Sequence, residues 1–140
     1  MVHGNPSWEA LFGRLATLKA NWPARAWSWD KRFTCITSSF TVEYEPQARA
    51  AAAAALPIEI TPKTLSAAPT NVRILAERTG GLRAQQLILR ADDAPGLFVF
   101  GLWWPWGDDA TISFRIGIDG LEWNDDPYPR FRQIFNVTTE

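Results

Sequence analysis

The sequence predicts an α+β domain in which helices cover an antiparallel β-meander sheet of five to seven strands. Three observations support this fold class: an amphipathic helical pattern near the N-terminus, an alanine-rich helical segment further along, and several apolar stretches separated by turn residues. Strands and helices do not alternate in the way that is typical of a parallel sheet. The length of 140 residues matches one domain, so we expect residues 1–140 to form a single α+β domain.

The first predicted element is an N-terminal helix. Asn5 can cap its start, and Pro6 suits the first turn. Apolar residues then recur at spacings of three and four, which places them on one face of the helix. We expect this face to pack across one face of the sheet. Its members are Trp8, Leu11, Phe12, Leu15 and Leu18.

Residues 27–46 are rich in β-branched and aromatic side chains, which predicts two strands joined near Thr37–Ser39. In this interpretation Phe40, Val42 and Tyr44 share one side of the second strand. Pro46 then opens a helix that contains the run Ala50–Ala55.

The alanine-rich helix has small side chains that bury little area. We therefore interpret it as a spacer that crosses between sheet segments, with a specific small-residue interface as the alternative. The prolines at positions 57, 62 and 69 leave room for only a short strand in residues 58–61.

Residues 70–90 fit two structures. One is a helix that ends at Gly80, and the other is a β-hairpin that turns at Gly80 and Gly81. The hairpin places Ile74 opposite Leu87 and separates apolar from polar side chains, so it is the favoured interpretation.

A second hairpin is predicted from a strand over 97–104, a turn over 105–109 and a strand over 110–118. If Phe100 lies opposite Phe114, the apolar side chains of both strands share one face. The first strand is apolar on both faces, so its second face must also be covered. Either the N-terminal helix or the alanine-rich helix can do this and bury Trp103. Residues 127–137 fit a helix or a strand equally well.

Composition excludes several classes of function. The net charge of −1 provides no general attraction for nucleic acid or an anionic membrane. No stretch reaches about 18 apolar residues, and no secretory leader pattern is present. The single cysteine, Cys35, indicates a reducing compartment, so we expect a cytoplasmic protein. Eleven arginines against three lysines indicate a GC-rich coding sequence, and we expect a bacterial source.

The residues needed for common chemistries are scarce. His3 and Cys35 are the only histidine and cysteine, which argues against Cys–His catalysis and against a zinc site. The motifs GxxxxGK[ST], GxGxxG and GxSxG do not occur. We therefore predict no catalytic residue, no metal ligand and no cofactor.

Two candidate docking surfaces remain. The first, the tryptophan turn, carries exposed aromatic and acidic side chains: Trp104, Trp106, Asp108 and Asp109. The second, the acidic edge, combines the loop after Arg90 with the loop after Ile118, and its candidate residues are Asp119, Glu122, Asp125 and Asp126. A nine-residue strand spans about 30 Å, so the two surfaces are expected at opposite ends of the sheet.

These surfaces predict a non-enzymatic interaction module, an accessory or inhibitor-type protein that docks another protein through the tryptophan turn, the acidic edge or both. The acidic edge favours a basic partner. An alternative is a sugar-binding or small-ligand-binding domain with an aromatic-lined pocket, and a third is an enzyme that uses carboxylates. Such an enzyme needs two carboxylates within roughly 10 Å of each other. This requirement excludes pairs of carboxylates drawn from opposite ends of the predicted strand over 110–118.

Overall fold

A computed structural model describes residues 6–24, 26–92, 98–119 and 127–137. In these ranges the helices are α1 (Pro6–Asn21), α2 (Glu45–Ala55), α3 (Thr70–Arg78) and α4 (Pro127–Ile134). The strands are β1 (Ser28–Asp30), β2 (Cys35–Thr41), β3 (Ile58–Ile60), β4 (Leu87–Ala91), β5 (Phe98–Pro105) and β6 (Thr111–Asp119). Single 3-10 turns lie at Val42–Tyr44 and Leu65–Ala67.

The six strands form one antiparallel sheet in the order β1-β2-β6-β5-β4-β3. The predicted α+β fold with an antiparallel sheet is therefore confirmed, and β4, β5 and β6 form the part of the predicted meander that the structure contains. The short strand predicted in residues 58–61 is β3, Ile58–Ile60, and it forms one edge of the sheet. Both edge strands, β1 and β3, are only three residues long, which limits the backbone that the sheet exposes to other chains.

Helices cover both faces of the sheet. α1, α2 and α4 share one apolar cluster with Ile36, Trp103 and Phe114, which confirms that the N-terminal helix packs across one face. α3 lies in a second cluster with Ile88, Phe100 and Leu102. β5 contributes side chains to both clusters, as its apolar residues predicted. The buried apolar face of α1 comprises Leu11, Phe12, Leu15 and Leu18.

The interpretation of α2 as a spacer is wrong. Ala48 and Ala52 are completely buried, and α2 packs against α1. The small side chains allow close approach, and the Arg14 Nε donates a hydrogen bond to the carbonyl of Ala55 across the two helices. The alternative, a small-residue interface, is what the structure contains.

The predicted hairpin over residues 70–90 is also wrong, because Thr70–Arg78 is helical. Val72, Leu75 and Ala76 are buried, whereas Ile74, which the hairpin placed against Leu87, is 55% exposed. The two glycines end the helix instead of turning a hairpin: both have φ near +90°, and the Gly81 N–H donates to the Ala76 carbonyl at 2.7 Å.

The β5–β6 hairpin is confirmed, but its predicted register is wrong by three residues. Phe114 lies opposite Trp103, and Phe100 lies opposite Gly117. β5 continues through Pro105 and β6 begins at Thr111, so the five-residue connecting loop lies one residue later than predicted. A shift by an odd number of residues exchanges the faces of one strand relative to the other. Phe100 and Phe114 therefore belong to different clusters.

The predicted junction at Thr37–Ser39 is wrong, because these residues lie inside β2. The turn between β1 and β2 spans residues 31–34, where the Asp30 carboxylate accepts hydrogen bonds from the backbone N–H groups of Arg32 and Phe33. Beyond Thr41 the chain forms a 3-10 turn, so Val42 and Tyr44 are not strand residues. The C-terminal segment is helical, and its buried side chains include Phe131 and Phe135.

Candidate functional site

The tryptophan turn connects β5 to β6 and is held by its own hydrogen bonds. The Trp106 N–H donates to the Thr111 carbonyl at 2.8 Å. The Asp108 carboxylate accepts from the N–H groups of Ala110 and Thr111 and from the Thr111 hydroxyl at 2.9–3.0 Å. Asp109 has φ +56°, a left-handed conformation that aspartate adopts more readily than most residues. These hydrogen bonds therefore hold the backbone of the turn in one conformation.

The Asp108 carboxylate has a structural role. The hydrogen bond from the Ala110 N–H is the main cause that lowers its pKa. Desolvation opposes this effect, and the hydroxyl and N–H of Thr111 lower the pKa further. Asp108 is therefore ionised at neutral pH, and its two oxygens are engaged within the turn. Asp108 is a predicted site residue, and its hydrogen bonds within the turn account for its presence there.

The three tryptophans of this segment have different environments. Trp103 is 1% exposed and lies in the apolar cluster that α1, α2 and α4 share. Trp104 is half-buried on the other face, where it packs edge-on against Phe33 and lies 4.6 Å from the guanidinium of Arg115. Trp106 is 51% exposed. The predicted exposure of the turn thus applies to Trp106, whereas Trp104 is largely a packing residue.

A cleft of about 290 Å³ opens beside Trp106, and we call it the Trp106 cleft. The hairpin forms one side of it, α2 with its preceding 3-10 turn forms the second, and the segment before β4 contributes one residue. Its lining residues are Val42, Glu45, Arg49, Gln85, Trp103, Pro105, Trp106, Asp109, Thr111 and Ile112.

The Trp106 cleft carries two carboxylates that the described chain does not neutralise. Neither Glu45 nor Asp109 has an ion pair or a side-chain hydrogen bond to another described residue. Arg49, the one cation in the lining, pairs with Glu59 at 2.5 Å and lies 5.5 Å from the Trp103 ring. The lining therefore presents negative charge beside an exposed indole.

Of the ten lining residues, only Trp106 and Asp109 were predicted site residues. Four of the other eight lie outside the β5–β6 hairpin: Val42, Glu45, Arg49 and Gln85. They come from segments that lie far from the hairpin in sequence. The backbone bond from the Val42 N–H to the Ala110 carbonyl, at 2.9 Å, brings the first of these segments to the turn. No local sequence pattern indicates this contact.

The acidic edge is described only in part. Ala91 and Ile118 both lie opposite Val99, so β4 and β6 end at the same end of the sheet, away from the tryptophan turn. Asp92 follows β4 and forms an ion pair with Arg90. The backbone of Asp119 ends β6. Glu122, Asp125 and Asp126 lie outside the described residues.

The described ranges contain no group of three or more His, Cys, Asp or Glu side chains placed to bind a metal ion. Cys35 is buried, and its thiol donates a hydrogen bond to the Phe33 carbonyl. No helix among these residues has the length and apolar character needed to span a membrane.

The chain matches no protein-family model, no curated protein and no solved structure.

Proposed function

We propose that this protein is a non-enzymatic interaction module, of the accessory or inhibitor type, that docks another protein through the tryptophan turn. The observation that carries the proposal is the exposure of Trp106, 51%, on a turn whose backbone is held by hydrogen bonds. A cytoplasmic location, a bacterial source and the absence of nucleic-acid and membrane partners remain predictions from composition.

Trp106 has the properties of an interface anchor. Tryptophan is enriched among the residues that dominate binding energy, because it buries a large area at a low cost in side-chain entropy. The turn is preorganised, so little conformational freedom remains to be lost when a partner binds. Val42, which is 40% exposed, extends the apolar surface along the same cleft.

The Trp106 cleft is small. Its volume of about 290 Å³ is at the lower end of the range of roughly 300–1,000 Å³ for pockets that enclose a drug-sized ligand. A cleft of this size suits one side chain of a larger partner. Sugar binding by stacking on Trp106 is the alternative, and the acidic edge remains a predicted second docking surface for a basic partner.

The test uses the wild-type chain and the Trp106→Ala variant as baits in parallel affinity-capture experiments. We expect the wild-type chain to capture, from an extract of its source organism, a protein that Trp106→Ala does not capture. With that partner purified, calorimetry should show binding at least roughly 30-fold weaker for Trp106→Ala, as is typical of a central anchor. The matched control is Tyr44→Ala, which removes an aromatic side chain that is 45% exposed and is not part of the cleft lining.

Two outcomes would contradict the proposal. One is a purified partner that binds Trp106→Ala as tightly as wild type, or that Tyr44→Ala weakens equally. The other is a saturable change in tryptophan fluorescence with a sugar from a broad panel, lost in Trp106→Phe, which would favour the ligand-binding alternative.

A further inference from the structure

We propose that the Trp106 cleft accepts an arginine side chain of the docked protein, with its guanidinium between the Trp106 indole and the carboxylates of Glu45 and Asp109. This inference rests on the proposed docking function, because it assigns the chemistry of the partner residue at the same site. It depends on the charge of the lining, on the exposed indole and on the size of the cleft.

The charge of the cleft selects a cation. Glu45 lies in the first turn of α2 and Asp109 lies in the hairpin turn, and both line the cleft. The positive charge of Arg49 is shared with Glu59 at 2.5 Å. Two carboxylates therefore remain available to a positive group that enters from outside.

The indole of Trp106 provides a second cation-binding element. A guanidinium within about 6 Å of a tryptophan ring is attracted by the negative face of the ring. The protein already forms such contacts inside the fold, where Arg115 lies over Trp104 at 4.6 Å and Arg49 over Trp103 at 5.5 Å. Trp106 has no cation over its ring among the described residues.

Arginine fits this combination better than lysine. A planar guanidinium can stack on an indole and still donate hydrogen bonds in its own plane, whereas an ammonium group acts as a more strongly hydrated point charge. Acceptors for those hydrogen bonds line the cleft: the carboxylates of Glu45 and Asp109 and the side-chain carbonyl of Gln85.

The experiment is an NMR titration of the full ¹⁵N-labelled chain with N-acetyl-arginine methylamide. The neutral isostere N-acetyl-citrulline methylamide is the matched probe. We expect a saturable shift of the Trp106 indole N–H signal, identified by its loss in Trp106→Phe, with the arginine compound only. The corresponding lysine compound should bind several-fold more weakly.

Substitutions in the lining test the role of charge. Glu45→Gln and Asp109→Asn should each weaken binding of the arginine compound by roughly two- to fivefold, the range of partly exposed charge pairs. Asparagine tolerates the left-handed conformation at position 109, so the turn is retained. Arg49→Gln should tighten binding by a similar factor. Glu43→Gln is the control, because Glu43 is close in sequence but outside the cleft lining.

The results separate the two proposals. Equal shifts with the arginine and citrulline compounds, equal affinity for lysine, or unchanged affinity in both Glu45→Gln and Asp109→Asn would overturn the arginine assignment. In that case a partner whose binding still requires Trp106 would leave the docking function intact. A partner indifferent to Trp106→Ala would overturn the docking function itself.

Discussion

Trp103, Trp104 and Trp106 differ in environment because of their positions along one strand. Side chains alternate across a sheet, so Trp103 points to the face that α1, α2 and α4 cover, and Trp104 points to the face that α3 covers. Trp106 lies beyond the last strand pair, Pro105 with Ile112, and has no covering element on the described chain. Most other tryptophans serve the core: Trp8, Trp22, Trp27 and Trp29 all belong to the cluster beneath the helices or pack against it.

At the residue scale, the ion pair between Asp30 and Arg115 should contribute to stability. The Arg115 Nε donates to the Asp30 Oδ2 at 2.9 Å, and each side chain is only 15% exposed. Asp30→Asn leaves the guanidinium with a weaker partner. We expect a loss of about 1–3 kcal/mol in the free energy of unfolding at neutral pH. Urea denaturation measures this loss.

The same pair predicts a pH dependence. Burial raises the pKa of Asp30, but the hydrogen bond and charge of Arg115, with the N–H groups of Phe33 and Arg32, outweigh it and bring the pKa below its ordinary value of 3.8. A depressed pKa stabilises the fold above the unfolded value, and that stabilisation is lost as the pH falls through the folded value. The stability difference between wild type and Asp30→Asn should therefore shrink below pH 3.8. A difference that stays constant there would contradict this origin.

At the scale of single elements, Gly101→Ala and Gly13→Ala should change the stability of the protein in opposite directions. A Cβ at Gly101 in β5 would lie 2.6 Å from the Phe114 Cζ, and Phe114 is itself completely buried and stacked on Trp22. The ring cannot move freely, so we expect Gly101→Ala to destabilise the protein by about 1–3 kcal/mol.

Gly13 is the control at this scale. It lies inside α1, and a Cβ there would meet nothing within 4 Å. Gly13→Ala should stabilise the protein by about 0.5–1 kcal/mol, because alanine loses less backbone freedom in a helix. Urea denaturation measures the free energy of unfolding of both variants. A change of the same sign in the two variants would refute this prediction.

At the scale of the whole molecule, α1 and α4, which are far apart in sequence, contact each other. Arg130 in α4 donates two hydrogen bonds of 2.7 Å to the Glu9 carboxylate in α1, and Phe131 and Phe135 are buried in the same cluster as α1. Hydrogen bonding by Arg130 lowers the pKa of Glu9, although desolvation opposes it, so this carboxylate is ionised at neutral pH.

Glu9→Gln removes this ion pair and leaves the apolar contacts of α4. We expect faster hydrogen exchange in residues 127–134, with exchange in the β5–β6 hairpin unchanged, because local opening follows the contacts that hold each element. The wild-type protein should show the same effect at high salt, which screens exposed ion pairs. Unchanged exchange in α4 would show that the apolar contacts alone hold it.

Part of the candidate site was predictable from the sequence. Trp104 and Trp106 flank Pro105 at a hairpin turn whose backbone stays hydrated, so both side chains cannot be buried there. This indicated that Trp106 is exposed. The hydrogen bonds of Asp108 are also local to the turn. Glu45 and Val42 were not predictable as site residues, because the pairing of β2 with β6 brings their segment to the hairpin.

The sequence by itself determined the elements whose signals are local and strong: the apolar stripe of α1, the helical propensity of α2, and the antiparallel β5–β6 hairpin. Only the tertiary structure decided the β5–β6 register, the helical state of Thr70–Arg78 and the close packing of α2 on α1. Periodicity and turn composition act over a few residues. Strand register depends instead on which apolar surfaces meet. A short segment such as residues 70–78 fits both the helical and the strand pattern of apolar residues, and the surface against which it packs decides between a helix and a strand.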